Sequence, residues 1–230
     1  MPTVWAVVVA GGSGRRFGQA KQFLSVAGKP VVEWAIEGCR SVAQTVVLVV
    51  PDDAAGLGSF GADVVVSGGD SRSASVRNGL AAVPEDVEIV VVHDAARPMA
   101  RADLFERVIS ALVDGDAGGA ICAVPVADTL KRVEPALAPP SVDAADHDAV
   151  SRWSEVRATV AREDLVSVQT PQAFVASTLR QAHAAGGDAT DDAALVEALG
   201  TTVRVVMGDP RNLKLTTPLD LAYAEHVLGQ

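Results

Sequence analysis

The chain has 230 residues, of which 49% are apolar and only 4% aromatic, and it carries a formal net charge of −10. That length buries a sizeable core in one large α/β domain or in one domain with an appendage. The acidic balance excludes general binding to nucleic acid or to an anionic membrane surface. No apolar run reaches membrane-spanning length, and the first residues lack the basic-then-apolar pattern of a cleavable signal. Cys39 and Cys122 stand isolated in apolar surroundings, and the four His residues show no metal-ligand spacing. A cytoplasmic setting without disulfides is expected.

Short β-branched runs alternate with helical patterns. In chain order, a strand is predicted near Val4–Val9, a helix near Pro30–Cys39, strands near Thr45–Val50 and Asp63–Val66, and a helix near Ser71–Val83. A strand near Glu88–Val92, a helix near Arg101–Asp114 and a strand near Gly119–Val124 follow. Later come helices near Ser177–Ala185 and Asp191–Leu199, a strand near Val203–Met207 and a helix near Pro218–Leu228. The strands are almost continuously apolar, as strands covered on both faces should be. The last helix has a clear start signal in Thr217 at its N-cap, Pro218 behind it and Asp220 in the third helical position. Such alternation predicts an α/β fold with a doubly wound, mainly parallel sheet, and ligand sites beyond the carboxyl ends of the strands.

One interval departs from this pattern. From Asp128 to Leu165 the chain is rich in Pro, Asp and Ala and lacks core periodicity; Pro135, Pro139 and Pro140 precede an acidic run over Ser141–Asp148. A stretch of this kind inside a compact domain is uncommon and is usually functional or disordered. We read residues 1–230 as a single domain from which about 128–165 project as an arm or lid, with a mobile tip around 134–150.

The most informative segment runs from Val7 to Lys21. An apolar strand enters a turn containing Gly11, Gly12, Gly14 and Gly18, and Arg15, Arg16 and Lys21 sit where it opens. Glycines let backbone N–H groups approach an anion, and the cations neutralise its charge, so the segment reads as a phosphate site. The spacing matches neither common phosphate fingerprint. Gly18 comes one residue too late for a dinucleotide-binding turn, and it is followed by Gln19 where a Walker loop needs Lys. A plain tight turn rimmed by solvated cations is the competing reading.

Three further segments supply candidates. The strand Glu88–Val92 leads through His93 into Asp94, with Arg97 three residues on. Asp94 is placed either to ligate Mg²⁺ near a triphosphate or to cap the turn and pair with Arg97; His93 is read as a structural hydrogen-bonding group. Ser67 to Ser75, with Gly68, Gly69 and Asp70, suits either close contact with a nucleobase edge or helix capping by Ser71 or Ser73. Lys214, between Leu213 and Leu215, either points into a cleft or snorkels to a rim. Thr129, Lys131 and Arg132 open the arm, and Arg162 and Thr170 close it.

In order along the chain, Ala10–Arg16, Lys21–Leu24, Gly68–Asp70 with Ser75-Val76, His93–Pro98, Pro125–Thr129, Gln169–Gln172, Thr190–Asp192 and Asn212–Lys214 form a set. The set resembles the cytidylyltransferases, and most closely the 2-C-methyl-D-erythritol 4-phosphate cytidylyltransferase family of the non-mevalonate isoprenoid pathway. The resemblance implies a Rossmann-like nucleotidyltransferase fold with a projecting arm. It also implies transfer of CMP from CTP to the phosphate of methylerythritol phosphate, with Mg²⁺ or another divalent cation as cofactor.

On the same ground, Arg16, Lys21, Arg162 and Lys214 are the implied catalytic residues. Ala10, Gly11, Gly12, Gly14, Gly69, Asp70, Ser75 and Ala95 would bind CTP. Asp94, Arg97, Thr129, Arg162, Thr170 and Lys214 would bind the acceptor, and Asp94 would also hold the metal. The implied assembly is a homodimer with exchanged arms, in which Arg162 serves the neighbouring subunit's site; no nucleic acid or membrane partner is implied. Three departures stand out: Ala20 replaces the family's Pro, the loop from Arg16 to Lys21 is shorter than in many relatives, and the arm is lengthened by the stretch near 134–150. Ribitol 5-phosphate, or a similar polyol phosphate, is the alternative acceptor. A nucleotide-binding protein without catalysis is the alternative class.

Overall fold

The computed structural model describes residues 2–11, 21–134 and 154–230. It divides into two units, one comprising Met1–Val124 with Val168–Gln230 and the other Pro125–Ser167.

The first unit opens with β1 (Val4–Val9), followed by a short 3₁₀ turn at Lys21–Phe23. A small hairpin of β2 (Ser25–Val26) and β3 (Lys29–Pro30) comes next. Its two-residue loop, Ala27-Gly28, has positive φ at both positions (48° and 81°), the conformation that joins strands most tightly. The chain continues through α1 (Val31–Arg40), β4 (Thr45–Val50), β5 (Val64–Ser67), α2 (Arg72–Ala81), β6 (Ile89–Asp94), α3 (Ala102–Val113) and β7 (Gly119–Pro125).

In the second unit, β8 (Leu130–Glu134) and β9 (Glu155–Val160) form an antiparallel ribbon whose register breaks between Arg132 and Val133. The interval that lacked periodicity therefore contains regular structure. Its strands are exposed on nearly every residue, so no buried face imposes an apolar alternation. Most of the tip expected around 134–150 lies outside the described residues.

After β10 (Val166–Val175) come α4 (Ala176–Ala184), α5 (Asp192–Ala198), β11 (Val203–Met207) and α6 (Pro218–Leu228). The predicted N-cap of α6 is present and is completed into a capping box: the Thr217 hydroxyl accepts from the Asp220 N–H, and the Asp220 carboxylate accepts from the Thr217 N–H at 2.7 Å.

Seven strands form one sheet in the order β11-β7-β10-β6-β1-β4-β5. β5, β4, β1 and β6 run parallel, as do β7 and β11, while β10 lies antiparallel to β6. Successive residues of a strand point to opposite faces. Val8, Leu48 and Val91 accordingly join Ile36 of α1 and Leu104 and Phe105 of α3 in one core, whereas Val7, Val47 and Val90 join Leu80 of α2, Leu179 of α4 and Val196 of α5 in the other. A doubly wound sheet with two cores results.

The predicted elements are all present, with boundaries moved by a residue or two. The largest gain is at β6, which extends past Val92 to Asp94 and so carries His93 and Asp94 as strand residues. β10 was not foreseen. Its buried part opens on Gln169-Thr170-Pro171-Gln172, a largely polar stretch with a Pro that has no N–H to give a ladder, and only then reaches the apolar Ala173 and Phe174.

Candidate active site

The carboxyl ends of β1, β5 and β6 open onto a cleft of about 510 Å³. One wall is main chain and small side chains. Ala10 and Gly11 follow β1, Gly69 and Asp70 follow β5, Ser75 rises from α2 and Ala95 follows β6. The other wall is charged and consists of Arg72, Asp94 and Lys214.

The small-residue wall is fastened by its own backbone. Ala10 donates its N–H to the Val49 carbonyl at 2.8 Å, and its own carbonyl accepts from Nε2 of buried Gln22 at 2.7 Å. Ala95 is tied to the Val9 carbonyl at 3.0 Å. The Ser75 hydroxyl accepts from the Gly69 N–H at 3.1 Å and donates back to the Ser71 carbonyl at 2.9 Å, which locks the turn after β5 onto α2. A Cβ on Gly69 would lie 2.6 Å from that of Ala74, so only glycine lets this turn pack so closely. Helix capping also occurs here, through Ser71, whose hydroxyl accepts from the Ala74 N–H at 3.1 Å. The capping reading of the segment holds, on Ser71.

Asp94 anchors the charged wall. Its carboxylate accepts from Lys214 Nζ at 2.7 Å on one oxygen and from Arg72 Nε at 3.3 Å on the other. Burial alone would push this carboxyl up, but Arg72 and Lys214 outweigh it and hold it well below the usual carboxylate range. The alternative reading's ion pair with Arg97 does not form. Arg97 instead donates to the main-chain carbonyls of Asn212 at 2.7 Å and Val168 at 3.4 Å. A neighbour three residues away is a poor partner here because the chain turns after Asp94, with the Arg97 N–H on the Asp94 carbonyl at 3.0 Å. Lys214 points into the cleft because Leu215 beside it is fully buried, with its N–H on the Ala96 carbonyl at 2.8 Å.

Behind Asp94 lies a buried relay. The Thr170 hydroxyl accepts from the Asp94 N–H at 3.0 Å and bonds His93 Nδ1 at 3.0 Å, while His93 Nε2 faces the Arg97 carbonyl at 3.2 Å. A carbonyl can only accept, so Nε2 carries the proton and Nδ1 takes the threonine's. Burial lowers the His93 pKa to about 4, which keeps the ring neutral. His93 is structural, as its strand-end position suggested.

The remaining candidates fall elsewhere. Gly12, Gly14 and Arg16 lie outside the described residues, as does the side chain of Lys21. Thr129 and Arg162 belong to the second unit, where Thr129 is exposed and Arg162 donates to the Ala127 carbonyl. Sequence reasoning missed the parts played by Gln22, Arg72 and Asp192. Arg72 gave one usable signal: it opens α2, the end of a helix where the dipole disfavours a cation, so it needs a carboxylate nearby.

Among the described residues no three His, Cys, Asp or Glu gather into a metal cluster. No helix among them is long and apolar enough to cross a membrane.

Residues 4–230 match the family model described as 2-C-methyl-D-erythritol 4-phosphate cytidylyltransferase. The chain is 40% identical over 244 residues to the enzyme of that name from Paraburkholderia phytofirmans, covering 99% of this chain and 96% of the relative. Its identity to the Streptomyces coelicolor enzyme of the same name is 41% over 240 residues, covering 98% and 84% respectively. The crystal structure of 2-C-methyl-D-erythritol 4-phosphate cytidylyltransferase from Thermus thermophilus superposes with a TM-score of 0.77 at 34% identity, over 96% of this chain and 97% of that one.

Proposed function

This chain belongs to the 2-C-methyl-D-erythritol 4-phosphate cytidylyltransferase family, and from that premise we propose how its cleft works. The reaction transfers CMP from CTP to the phosphate of 2-C-methyl-D-erythritol 4-phosphate, giving 4-diphosphocytidyl-2-C-methylerythritol and pyrophosphate. The observation that carries the reading is the division of one cleft into a glycine-built wall and a wall bearing Asp94 and Lys214.

The attacking group is a phosphomonoester with a second pKa near ~6, so it is largely dianionic at neutral pH. It needs no serine nucleophile and no general base. What it needs is relief from repulsion by the triphosphate and stabilisation of the charge that grows in the in-line transition state. Lys214 is placed for that work, and Arg16 and Lys21 are assigned to it with the CTP phosphates. Ala10, Gly11, Gly12, Gly14, Gly69, Asp70, Ser75 and Ala95 hold the cytidine, largely through main-chain groups. Asp94, Arg97, Thr129, Thr170 and Arg162 are assigned to the acceptor, with Arg162 supplied by the second subunit of an arm-exchanged homodimer in the cytoplasm.

A divalent cation such as Mg²⁺ fits the donor set. Asp94 is held ionised at the cleft wall and has no companion cluster among the described residues, so the ion would be shared with phosphate oxygens, its ordinary mode. Bound there, it would neutralise phosphate charge and help align the triphosphate.

The test is pyrophosphate release from CTP with the divalent ion present or chelated, offering methylerythritol phosphate and ribitol 5-phosphate separately. Fast, chelator-sensitive turnover with the first acceptor alone is expected. Preference for ribitol phosphate, or no turnover, overturns the assignment. Arg162→Ala is expected to raise the KM of the acceptor more than that of CTP; equal effects on the two would remove Arg162 from the acceptor site.

A further inference from the structure

The charged wall holds more than the transfer reading uses. Arg72 is clamped between two carboxylates: Nε faces Asp94 at 3.3 Å, and NH1 meets Asp192 at 2.8 Å. Asp192 is fully buried at the start of α5, and its other oxygen is taken by His183 Nε2 of α4 at 3.0 Å. With both oxygens engaged, the Asp192 carboxylate cannot rotate, and Arg72 inherits that fixity. Lys214 differs. Its side chain is 42% exposed against 21% for Arg72, and it touches Asp94 through a single Nζ at the end of a flexible stem.

Asp94 thus has one fixed cation and one mobile cation. A buried carboxylate stripped of its partner is strongly unfavourable. If Lys214 were its only side-chain counter-ion, moving Lys214 to a phosphate would leave Asp94 with no cation of the protein beside it. With Arg72 in place, Lys214 can exchange its carboxylate bond for a phosphate oxygen while Asp94 stays paired. We propose that Arg72 is a positioning residue for the transfer reaction, held in place by Asp192, and that it acts as the standing counter-ion of Asp94 that frees Lys214 for the phosphates. The four charges of Arg72, Lys214, Asp94 and Asp192 balance, so the release of Lys214 is compensated locally when an anion arrives.

This inference rests on the cleft being the transfer site, and a double-mutant cycle on pyrophosphate release separates the two. Arg72→Gln, Lys214→Ala and the double variant are measured beside the wild type, with Asp192→Asn as a second way to loosen Arg72 without altering the cleft surface. Circular dichroism and thermal melting identify the folded fraction. Arg72→Gln and Asp192→Asn are expected to lower kcat about 10- to 100-fold, the range seen when the partner that orients a reacting group is lost. The double variant is expected to be little worse than Lys214→Ala alone, because Arg72 acts through Lys214. Losses that multiply independently, or folded Arg72→Gln and Asp192→Asn proteins with wild-type kcat, overturn the inference while wild-type turnover leaves the transfer assignment standing. A wild-type protein without turnover overturns the assignment itself.

Discussion

The two walls of the cleft are built by different means. On the small-residue wall the turn at Gly69, Ser71 and Ser75 is fastened within a few residues of chain, while Ala10 and Ala95 are held by neutral main-chain bonds to Val49 and Val9, farther off in the sequence. On the charged wall Lys214 and Asp94 are 120 residues apart, and so are Arg72 and Asp192. A wall fastened by neutral bonds can hold a rigid shape suited to a flat base. A wall assembled from distant segments brings opposite charges together, and those charges can exchange partners as substrates come and go. In the proposed function, recognition falls to the first set of residues and chemistry to the second.

The largest expected effect falls on the charged wall. Lys214→Ala should lower kcat about 10²- to 10³-fold, as loss of a preorganised charge-stabilising donor does, with the KM of CTP changing far less. A loss seen mainly in KM would mean that both walls bind and neither is specialised. Arg16→Ala and Lys21→Ala should behave like Lys214→Ala. On the opposite wall, Gly69→Ala places a methyl 2.6 Å from Ala74 Cβ. Overpacking of that kind costs about 1–3 kcal/mol of stability and pushes the turn off its position; the KM of CTP should rise while kcat at saturation stays within a few-fold. A variant whose kcat collapsed with its KM unchanged would erase the division.

The smallest effect sharpens the comparison from beneath. His93 is neutral in the fold, with its pKa lowered from 6.5 to about 4 by burial. The unfolded chain takes up a proton below about pH 6.5 and the folded chain does not, so this site's share of the stability is present above that pH. It is lost as the pH falls toward about 4, with a slope on the order of 1 kcal/mol per pH unit. His93→Gln should flatten that slope in chemical denaturation at pH 7, 6 and 5. An unchanged slope would show that the support of Asp94 titrates elsewhere.

Much of this molecule is visible in its amino-acid order. The strands β1, β4 and β6 announce themselves because both faces are buried, leaving nearly continuous apolar runs dominated by Val. The turn after β5 is visible because the residues that fasten it, Gly69, Ser71 and Ser75, lie within a few positions of one another. β10 is hidden because polar residues make up much of its buried part and meet hydrogen-bond partners from other elements: Thr170 meets His93, and Gln172 Nε2 meets Asp191 at 3.0 Å. Asp94 was visible as a carboxylate at a strand end, but its partners were not. The obvious candidate, Arg97, lies three residues on, while the cations that hold it come from 22 and 120 residues away. Local patterns reveal which residues are buried; only the closed fold reveals which charges meet.

The Ser75 hydroxyl also shapes how this cleft can change over generations. Methyl groups added at Gly11 and at Gly68 would approach that same oxygen, to 3.1 and 2.9 Å. Substitutions at these two sites are therefore not independent trials, because each is limited by the identity of one serine. A lineage that first lost the hydroxyl would relax both positions together, at the expense of the fastening at Gly69. A lineage that kept it would find either glycine costly to replace. The order in which mutations arise, as much as their number, decides which nucleotide pockets lie within reach of this one.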